Sequence, residues 1–365
     1  MDNRENWLPH LIAKSVFQGS SNLRSYLISL EGWRRGLTLT VKDKKMHLYL
    51  LSSGQRTHSI DMSRIDQIPA EAIEICKNKG LAKEYLARAG VPVPKGRVFN
   101  KTNTSDEIID FVHAFGYPVV LKPVNSSLAR GVVTGIQDEA SLRKGLYYIR
   151  QELGYNNIMI EKQIFGAEVR IIVLGDKAIG AYKRVPASII GNEKDTVQKL
   201  IDRKNEYRKT NPYLRNYPLK IDSEVLDNIR KAGYDLQSVL KEGEHIVLRE
   251  INSLRVGGDG VDVTEELPER VVINAIKAAK AIPGLPFAGL DMIVNLKDGA
   301  DDIGTVLEVN SRPHFGAAVF PLYAKARDVP GAFIDYFFPE SIENRENNRN
   351  IYFNLKGAMH PLKDY

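Results

Sequence analysis

Three oxygen-bearing side chains lie on two apolar segments toward the C-terminal end of the chain. Asp291 belongs to GLDMIV, and Glu308 and Asn310 belong to VLEVN. Glu308 and Asn310 are two residues apart, so on a strand both side chains project from one face, and one adjacent strand would bring Asp291 beside them. Two carboxylates and an amide oxygen are ligands that Mg²⁺ prefers when it also binds phosphate oxygens, and the absence of His and Cys from the set disfavours zinc. The alternative interpretation is polar residues at strand ends that face solvent.

A second acidic pair lies in EKQIFGAE, where Glu161 and Glu168 are seven residues apart and Gly166 allows a bend. Such a crossing can present backbone groups to a base and a carboxylate to ribose hydroxyls. Taken alone, the segment fits a strand followed by a solvated turn better than it fits a site.

Basic residues form a third set. Lys122 in VVLKPV ends a segment that resembles a buried strand, where a lysine is rare unless it meets an anion such as phosphate. Lys83 lies on a predicted amphipathic helix, where lysines are usually solvated. Arginines at predicted strand ends and loops suit phosphate or carboxylate, and we expect about half of them to be structural. They are Arg170, Arg184, Arg249, Arg255 and Arg312.

The elements that position these residues begin with a short antiparallel meander. LTLTV, HLYLL and THSI, between Leu37 and Ile60, are separated by polar breaks, which predicts a small β-rich N-terminal domain. A helical stretch from Pro69 to Arg88 follows, broken at Lys79 and Gly80, and GVPVPKG ends it.

Helical and strand patterns alternate through the rest of the chain, which predicts an α+β or α/β architecture. The predicted helices are DEIIDFVHAF, SLRKGLYYIRQEL, Thr196–Lys209 and PERVVINAIKAAKAI, and the predicted strands are YPVVLKPV, NIMIEKQI, EVRIIVLG, KAIGAYKRV, HIVLREI, GLDMIVNL and GTVLEVN. Gly175 and Asp176 predict a hairpin between two of these strands. ENRENNRN near the C-terminus predicts an exposed loop before a last apolar piece, IYFNL.

Composition narrows the class of protein. The chain has 365 residues, of which 43% are hydrophobic and 26% charged, values typical of a globular protein with two or three lobes. Cys76 is the only cysteine, so no intramolecular disulfide forms, and with neither a signal peptide nor an apolar run of about 18 residues we expect a cytoplasmic protein without a membrane span. The net charge of +6 comes without a block of basic residues, which favours anionic small molecules over nucleic acid.

In the order and spacing of its motifs, the chain resembles the ATP-grasp superfamily of carboxylate-amine ligases. The motifs are Lys122-Pro123, the segment Glu161–Glu168, Arg170, Arg184, GLDMIV and LEVNSRP. The tract from Tyr217 to Pro268 looks like the ATP-grasp domain of cyanophycin synthetase and of bifunctional glutathione synthetases. The resemblance runs from about Asn78 to Pro339 and implies an α+β fold in which two α/β lobes clasp ATP. We predict an N-terminal domain over 1–76, lobes over 77–165 and 166–338, and a tail over 339–365.

The resemblance also implies an activity: ATP phosphorylates a carboxylate, and an amine attacks the acyl phosphate to give an amide, ADP and phosphate. It implies ATP and two Mg²⁺ ions, with Mn²⁺ as an alternative, and small-molecule or peptide substrates. The implied roles follow by position. For the nucleotide, Lys122, supported by Lys83, would hold the α- and β-phosphates, Glu161, Lys162 and the backbone of Ile164 would bind adenine, and Glu168 would bind ribose. For the reaction centre, Asp291, Glu308 and Asn310 would bind the metal ions, and Arg170 and Arg184 would face the transferred phosphoryl group and the acyl phosphate. For the substrate, Arg312 would hold a carboxylate, and Gly257 and Gly258 would let the backbone approach.

Two departures from the family pattern are visible. In VNSSLARG only Gly131 is retained, and Ser126, Ser127 and Ala129 occupy places where the family has glycine, which makes φ > 0 conformations harder over the phosphates. The N-terminal region matches neither pattern usual for the family. A ligase of a non-amino-acid carboxylate, a bicarbonate-using carboxylase, a nucleotide-binding regulator without turnover, and a homo-oligomeric state all remain open.

Overall fold

The computed structural model describes residues 23–43, 45–126, 130–296 and 302–345. The first 22 residues, residues 127–129 of the predicted phosphate loop, and IYFNL with the rest of the tail from residue 346 lie outside the described residues.

The N-terminal part is a helix followed by a four-stranded antiparallel sheet in the order β1-β2-β3-β4. The elements are α1 (Leu23–Arg34), β1 (Thr38–Val41), β2 (Leu48–Ser52), β3 (Thr57–Asp61) and β4 (Arg64–Ile65). Alternate side chains such as Leu39, Tyr49 and Ile60 are buried, as expected for strands with one covered face. The predicted meander is confirmed.

Two helices, α2 (Ala70–Lys77) and α3 (Lys79–Arg88), form the predicted helical stretch. The break lies at Asn78, one residue before the predicted position. Its side-chain oxygen accepts hydrogen bonds from the backbone N–H groups of Gly80 and Leu81, so Asn78 caps α3. The cap sets the direction in which α3 presents its lysines.

The first lobe contains a second antiparallel sheet in the order β5-β8-β6-β7, with two helices. Its elements are β5 (Gly96–Phe99), α4 (Ser105–Phe115), β6 (Val119–Pro123), β7 (Val133–Ile136), α5 (Glu139–Tyr147) and β8 (Ile158–Lys162), with one π-helical turn over Tyr148–Glu152. A capping box between Thr104 and Glu107 begins α4. This lobe has its own core, which includes Ile108, Leu121 and Ile160.

The second lobe contains a five-stranded antiparallel sheet in the order β13-β10-β9-β14-β15. Its elements are β9 (Ala167–Leu174), β10 (Lys177–Val185), β13 (Asp259–Asp262), α8 (Glu269–Lys280), β14 (Phe287–Val294), β15 (Thr305–Asn310), α9 (Gly316–Val319) and α10 (Val329–Phe337). The predicted hairpin at Gly175 joins β9 to β10. Helix α8 packs against β9, β10, β14 and β15.

A smaller unit between β10 and β13 has a separate core, which includes Val197, Ile201 and Leu240. It consists of β11 (Ser188–Ile190), α6 (Val197–Thr210), α7 (Ser223–Lys231) and β12 (His245–Val247). The predicted strand HIVLREI is therefore shorter than expected. Beyond Val247 the chain turns so that Arg249 reaches Asp222 and Glu224 at the start of α7.

One hydrophobic core joins the N-terminal part to the second lobe. Leu30 of α1, Ile60 of β3, Ile75 of α2, Leu290 of β14 and Phe333 of α10 belong to the same buried cluster. Across the described ranges, no helix is both long and apolar enough to cross a bilayer.

Candidate active site

A network of charged side chains occupies one face of the second-lobe sheet. Asp291 on β14 is directly opposite Arg170 on β9 and Glu308 on β15, so their side chains share a face. Arg170 donates Nε–H to Asp291 Oδ1 at 2.6 Å and Nη2–H to Oδ2 at 2.5 Å. Arg184 of β10 donates to Asp291 Oδ1 at 3.1 Å and also pairs with Glu168. The sheet therefore brings together the five predicted residues of this network.

Mutual attraction keeps Asp291, Arg170 and Arg184 ionised. Burial raises the pKa of Asp291, but Arg170 and Arg184 lower it by more, so that the pKa of Asp291 lies below its ordinary value. Burial lowers the pKa of Arg170, and Asp291 outweighs that effect and raises it overall. Burial raises the pKa of Glu168 despite the neighbouring Arg184. Both arginines thus carry positive charge at a site where transferred phosphate is predicted.

The predicted metal ligands are Asp291, Glu308 and Asn310. Asn310 donates its Nδ2–H to the carbonyl oxygen of Gly289 at 3.4 Å, so its amide oxygen is oriented as an acceptor. Glu308 is half-buried and forms no hydrogen bond or ion pair with another described residue. Both oxygens of Asp291, in contrast, already accept from arginines.

These donors fit a hard cation that takes only part of its coordination shell from protein. Mg²⁺ binds through one or two carboxylates and completes its shell with water and phosphate oxygens. Glu308 and the Asn310 oxygen meet that need, with Asp291 shared between metal and arginine. No group of three or more His, Cys, Asp or Glu side chains suited to a metal occurs among the described residues.

Two lysines pair with one carboxylate in the first lobe, and a third contacts the start of the predicted phosphate loop. Lys122 Nζ lies 2.6 Å from Glu161 Oε2, and Lys83 pairs with the other oxygen of Glu161. Lys79 donates to the carbonyl oxygen of Ser126 at 2.5 Å, at the start of the predicted phosphate loop. Lys79, Lys122 and Glu161 are 8%, 7% and 2% exposed. The positive charge of the lysines exceeds the negative charge of the single carboxylate, and a bound polyphosphate would neutralise the excess.

The pKa values of these lysines reflect their crowding. Burial, with the charge of Lys79 as a second cause, lowers the pKa of Lys122 to about 8, while Glu308 opposes the shift. Burial, followed by the charge of Lys122, lowers the pKa of Lys83 to about 6. Helix α3, which carries Lys79 and Lys83, contacts β15, which carries Glu308, so the two clusters lie near each other.

The structure adds Lys79 to the predicted residues. Lys79 and Lys83 are four residues apart on α3, which places them on one helix face. This four-residue spacing is the feature of the sequence that could have identified Lys79. The proximity of Lys79 to Lys122 depends on how α3 packs against the first lobe.

In the segment predicted to bind the adenine base, charged side chains already contact other groups of the protein. The Glu161 side chain is engaged by lysines, and Lys162 donates to the carbonyl oxygens of Gly116 at 2.9 Å and Tyr117 at 3.2 Å. Ile164 is half-buried in the connection between β8 and β9. The adenine contacts of Glu161, Lys162 and Ile164 and the ribose contact of Glu168 therefore remain predictions.

The bend within this segment requires its glycine. Gly166 has φ +148°, and a Cβ there would lie 2.7 Å from Ile293 Cγ2 and 3.0 Å from the carbonyl oxygen of Val294. Another residue could not pass so close to β14.

The remaining arginines lie in different places. Arg312 contacts Asp61 of β3 with Nη1, at 3.0 and 2.9 Å from the two carboxylate oxygens. Arg249 pairs with Asp222 and Glu224 in the smaller unit, which is a structural role, as expected for some of the set. Arg255 lies 5.7 Å from the ring centre of Tyr217.

The glycine loop before β13 is held by Arg208, which is 1% exposed. Arg208 of α6 donates to the carbonyl oxygens of Leu254, Gly257 and Gly258 and to Asp259 Oδ1, at 2.8–3.2 Å. A Cβ on Gly258 would lie 2.7 Å from the carbonyl oxygen of Ser253. The sequence analysis did not identify Arg208, because an arginine on a charged helix carries no sign of burial.

His314 follows Arg312 and could be considered as a base for an incoming amine. Its Nδ1 accepts the backbone N–H of Gly316 at 3.2 Å. The neutral ring therefore carries its proton on Nε2, so the other ring nitrogen is a donor. This arrangement favours a structural histidine over a general base.

Comparisons with known proteins agree with this geometry. Residues 76–196 match the RimK-like ATP-grasp domain. Cyanophycin synthetase of Crocosphaera subtropica is 31% identical over 278 residues, covering 75% of this chain and 32% of that protein. The glutathione biosynthesis bifunctional protein GshAB of Desulfotalea psychrophila is 26% identical over 328 residues, covering 88% of this chain and 42% of that protein.

A solved structure shows the same fold. The bifunctional glutathione synthetase from Pasteurella multocida superposes with a TM-score of 0.68 at 23% identity, over 87% of this chain and 43% of that chain. The chain spans about a third of the length of the cyanophycin synthetase and less than half of the length of the GshAB protein.

The resemblance to the ATP-grasp superfamily that the motifs predicted is thus confirmed, both in sequence and in fold. The chain contains a RimK-like ATP-grasp domain and has the ATP-grasp fold.

Proposed function

We propose that the chain is an ATP-dependent carboxylate-amine ligase that forms an amide or peptide bond on amino-acid or peptide substrates. The observation that carries this proposal is the proximity of two charged clusters. Lys83 and Lys122 pair with Glu161 in one lobe, with Lys79 near Lys122, and Arg170 and Arg184 flank Asp291 in the other. The relatives named cyanophycin synthetase and bifunctional glutathione synthetase support the same class of reaction.

The reaction has two steps. An oxygen of the substrate carboxylate attacks the γ-phosphorus of ATP, the bond from that phosphorus to the β,γ-bridging oxygen breaks, and ADP leaves. The amine nitrogen then attacks the carbonyl carbon of the acyl phosphate, the bond from this carbon to the phosphate oxygen breaks, and the amine loses a proton. The products are an amide, ADP and phosphate.

The chain's own residues supply position and charge rather than a nucleophile, as is usual in phosphoryl transfer. Lys79, Lys83 and Lys122 neutralise the nucleotide phosphates. Arg170 and Arg184 face the negative charge that develops on the transferred group and on the acyl phosphate. Asp291 orients both guanidinium groups through the hydrogen bonds described above.

Glu308, Asn310 and Asp291 would hold two Mg²⁺ ions, or Mn²⁺. Bound there, the ions would neutralise phosphate charge and orient the γ-phosphoryl group. Glu168 would bind ribose, and Arg312 a substrate carboxylate. In this proposal the carboxylate substrate and the amine substrate are small molecules or peptides.

Hydroxylamine tests the proposal without knowledge of the natural amine. It traps an acyl phosphate as a hydroxamate, so a panel of amino acids, peptides and non-amino-acid carboxylates can be screened with Mg-ATP. We expect hydroxamate and ADP with some member of the panel. In Arg170→Met and Arg184→Met both products should fall by at least about a hundredfold, with ATP affinity within several-fold of wild type.

Arg88→Met is the matched control, because Arg88 has a 74% exposed side chain and pairs only weakly with Glu84 at 3.5 Å. Formation of AMP and pyrophosphate would contradict the proposed reaction. Tight ATP binding with neither hydroxamate nor ADP would favour the alternative of a nucleotide-binding regulator. Products with non-amino-acid carboxylates alone would correct the substrate class.

A further inference from the structure

The loop that follows β15, residues 311–315, folds back over the sheet face that carries the candidate active site. Gly289 and Asp291 are two residues apart on β14, so both lie on that face. A Cβ on Gly289 would lie 2.7 Å from Pro313 Cβ and 3.7 Å from Arg170 Cδ. Pro313 thus lies beside the arginine network, and the loop forms one wall of the site.

The buried ring of Tyr213, from the smaller unit, packs against this loop. Its centre lies 4.8 Å from the centre of the His314 ring, with 38° between the ring planes. A Cβ on Gly316 would lie 2.8 Å from Tyr213 Cδ2, so the ring occupies space that glycine leaves free at that position. Tyr182 holds the same stretch from the sheet, because its Oη–H donates to the carbonyl oxygen of His314 at 3.4 Å. The loop is therefore held between the sheet and the smaller unit.

Two buried polar side chains fix the position of Tyr213. Asn211 Oδ1 accepts the backbone N–H of Tyr213 at 2.9 Å, and Asn211 Nδ2–H donates to the carbonyl oxygen of Phe320, just beyond α9, at 3.2 Å. Arg208 donates to the carbonyl oxygen of Tyr217 through Nε–H at 3.0 Å and Nη2–H at 2.8 Å. Because this segment is anchored at both ends, it presents the Tyr213 ring to the loop in a defined position.

We propose that Tyr213 is a positioning residue that keeps this wall closed to water while an acyl phosphate is present. The inference rests on the proposed ligase function and deepens it, because it assigns to the smaller unit a role in coupling ATP consumption to amide formation. Water that reached the acyl phosphate would attack its carbonyl carbon in place of the amine. The bond from that carbon to the phosphate oxygen would break, the water would lose a proton, and free carboxylate and phosphate would form without an amide. Exclusion of water from an active site prevents such side reactions.

The contacts of Tyr213 with the loop involve atoms of its ring, which is large, rigid and apolar. Tyr213→Phe should therefore preserve the wall. Tyr213→Leu should leave a gap beside His314, because leucine cannot fill the space of the ring. Gly316→Ala tests the same contact from its other side, since the added methyl group should displace the ring without removing it.

Coupling is measured in the full chain as the ratio of hydroxamate to ADP, with saturating hydroxylamine, Mg-ATP and a carboxylate that supports turnover. We expect a ratio of about one in wild type and Tyr213→Phe, and a ratio below about one half in Tyr213→Leu and Gly316→Ala. In the latter two variants, hydrogen exchange of the amides between residues 311 and 316 should become at least about tenfold faster, while β9 stays protected. Tyr234→Leu is the matched control and should change neither quantity, because Tyr234 belongs to the smaller unit and donates to Glu244 of the same unit.

Unchanged exchange in both Tyr213→Leu and Gly316→Ala would overturn the anchoring of the loop by Tyr213. Faster exchange with an unchanged ratio of hydroxamate to ADP would overturn the role in coupling. If Tyr213→Leu does not fold, Gly316→Ala decides, because it keeps the ring and adds a single methyl group. If wild type released no ADP with any carboxylate, the ligase function would be rejected, and the exchange measurement would still decide whether Tyr213 holds the loop.

Discussion

At the residue scale, the same type of side chain has different roles in different surroundings. Lys122 meets Glu161 in a buried pair, whereas Lys77 pairs with Glu74 at the surface. Desolvation accounts for the difference, since burial makes an uncompensated charge costly and leaves a role for an anionic ligand. Two predictions belong to this scale, one for a lysine and one for an aspartate.

Nucleotide binding should be accompanied by proton uptake at Lys122. Its pKa of about 8 in the free protein leaves the amine about half protonated at pH 8, and bound phosphate raises that pKa. Titration calorimetry at pH 8 in two buffers of different ionisation enthalpy should show an uptake that Lys122→Met reduces by about half a proton. The reduction should shrink as the pH falls toward 7, where the amine is already protonated. Lys77→Met should leave the uptake unchanged, and an equal uptake in both variants would contradict the assignment.

Asp291 should matter for stability much more than Glu308. Asp291→Asn removes the charge that neutralises buried Arg170 and Arg184, and breaking such a pair costs about 3–5 kcal/mol of unfolding free energy. Glu308→Gln removes no partner and should cost less than about 1 kcal/mol. Urea unfolding near pH 7 measures both. Similar losses would mean that the arginines do not depend on Asp291.

At the element scale, helices supply the residues that hold the loops of the site. Asn78 caps α3, whose Lys79 and Lys83 contact Ser126 and Glu161, and Arg208 of α6 holds the glycine loop before β13. A loop whose carbonyl oxygens are all satisfied by one rigid side chain loses little entropy when substrate binds.

Arg208→Lys should loosen that loop. Lysine cannot reproduce the several directed bonds of the guanidinium, so hydrogen exchange of amides 254–260 should become at least about tenfold faster, and KM for a substrate should rise more than kcat falls. Arg203→Lys is the control, because Arg203 is an exposed neighbour on α6 that pairs with Asp195. Unchanged exchange in Arg208→Lys would reject this anchoring role.

At the scale of the whole molecule, the N-terminal part is continuous with the second lobe. Their side chains share one core, and ion pairs such as Arg35 with Asp335 join them. The first lobe and the smaller unit have separate cores. The proposed domain boundary near residue 76 therefore lies within the sequence of one packed unit, because the N-terminal part and the second lobe share a core.

This arrangement predicts which regions unfold together. Leu30→Ala in α1 should lower the unfolding free energy by about 2–5 kcal/mol and should accelerate hydrogen exchange in β9 and β10, more than 130 residues away in sequence. Ile108→Ala in the first lobe is equally buried and should accelerate exchange in β6 and β8 while β9 and β10 stay protected. The opposite pattern would show that the N-terminal part is an independent domain.

The sequence by itself determined the elements and much of the site. Alternating and periodic apolar residues predicted the meander, the later strands and most helices, because backbone period and side-chain burial are local properties. The spacing of Glu308 and Asn310 predicted one shared strand face, and Gly166 predicted the bend after β8. Each of these inferences needs only residues that are close together in the chain.

Only the tertiary structure decided which distant side chains meet. Lys79 contacts the carbonyl oxygen of Ser126, and Glu161 lies between two lysines. Arg249 pairs with residues at the start of α7, and Arg312 contacts Asp61, 251 residues earlier in the chain. These partnerships follow from the packing of separate elements around shared cores, and nothing in the local pattern of a helix or strand specifies the neighbour across an interface. The charge of each residue was evident from its type, whereas its partner depended on the fold.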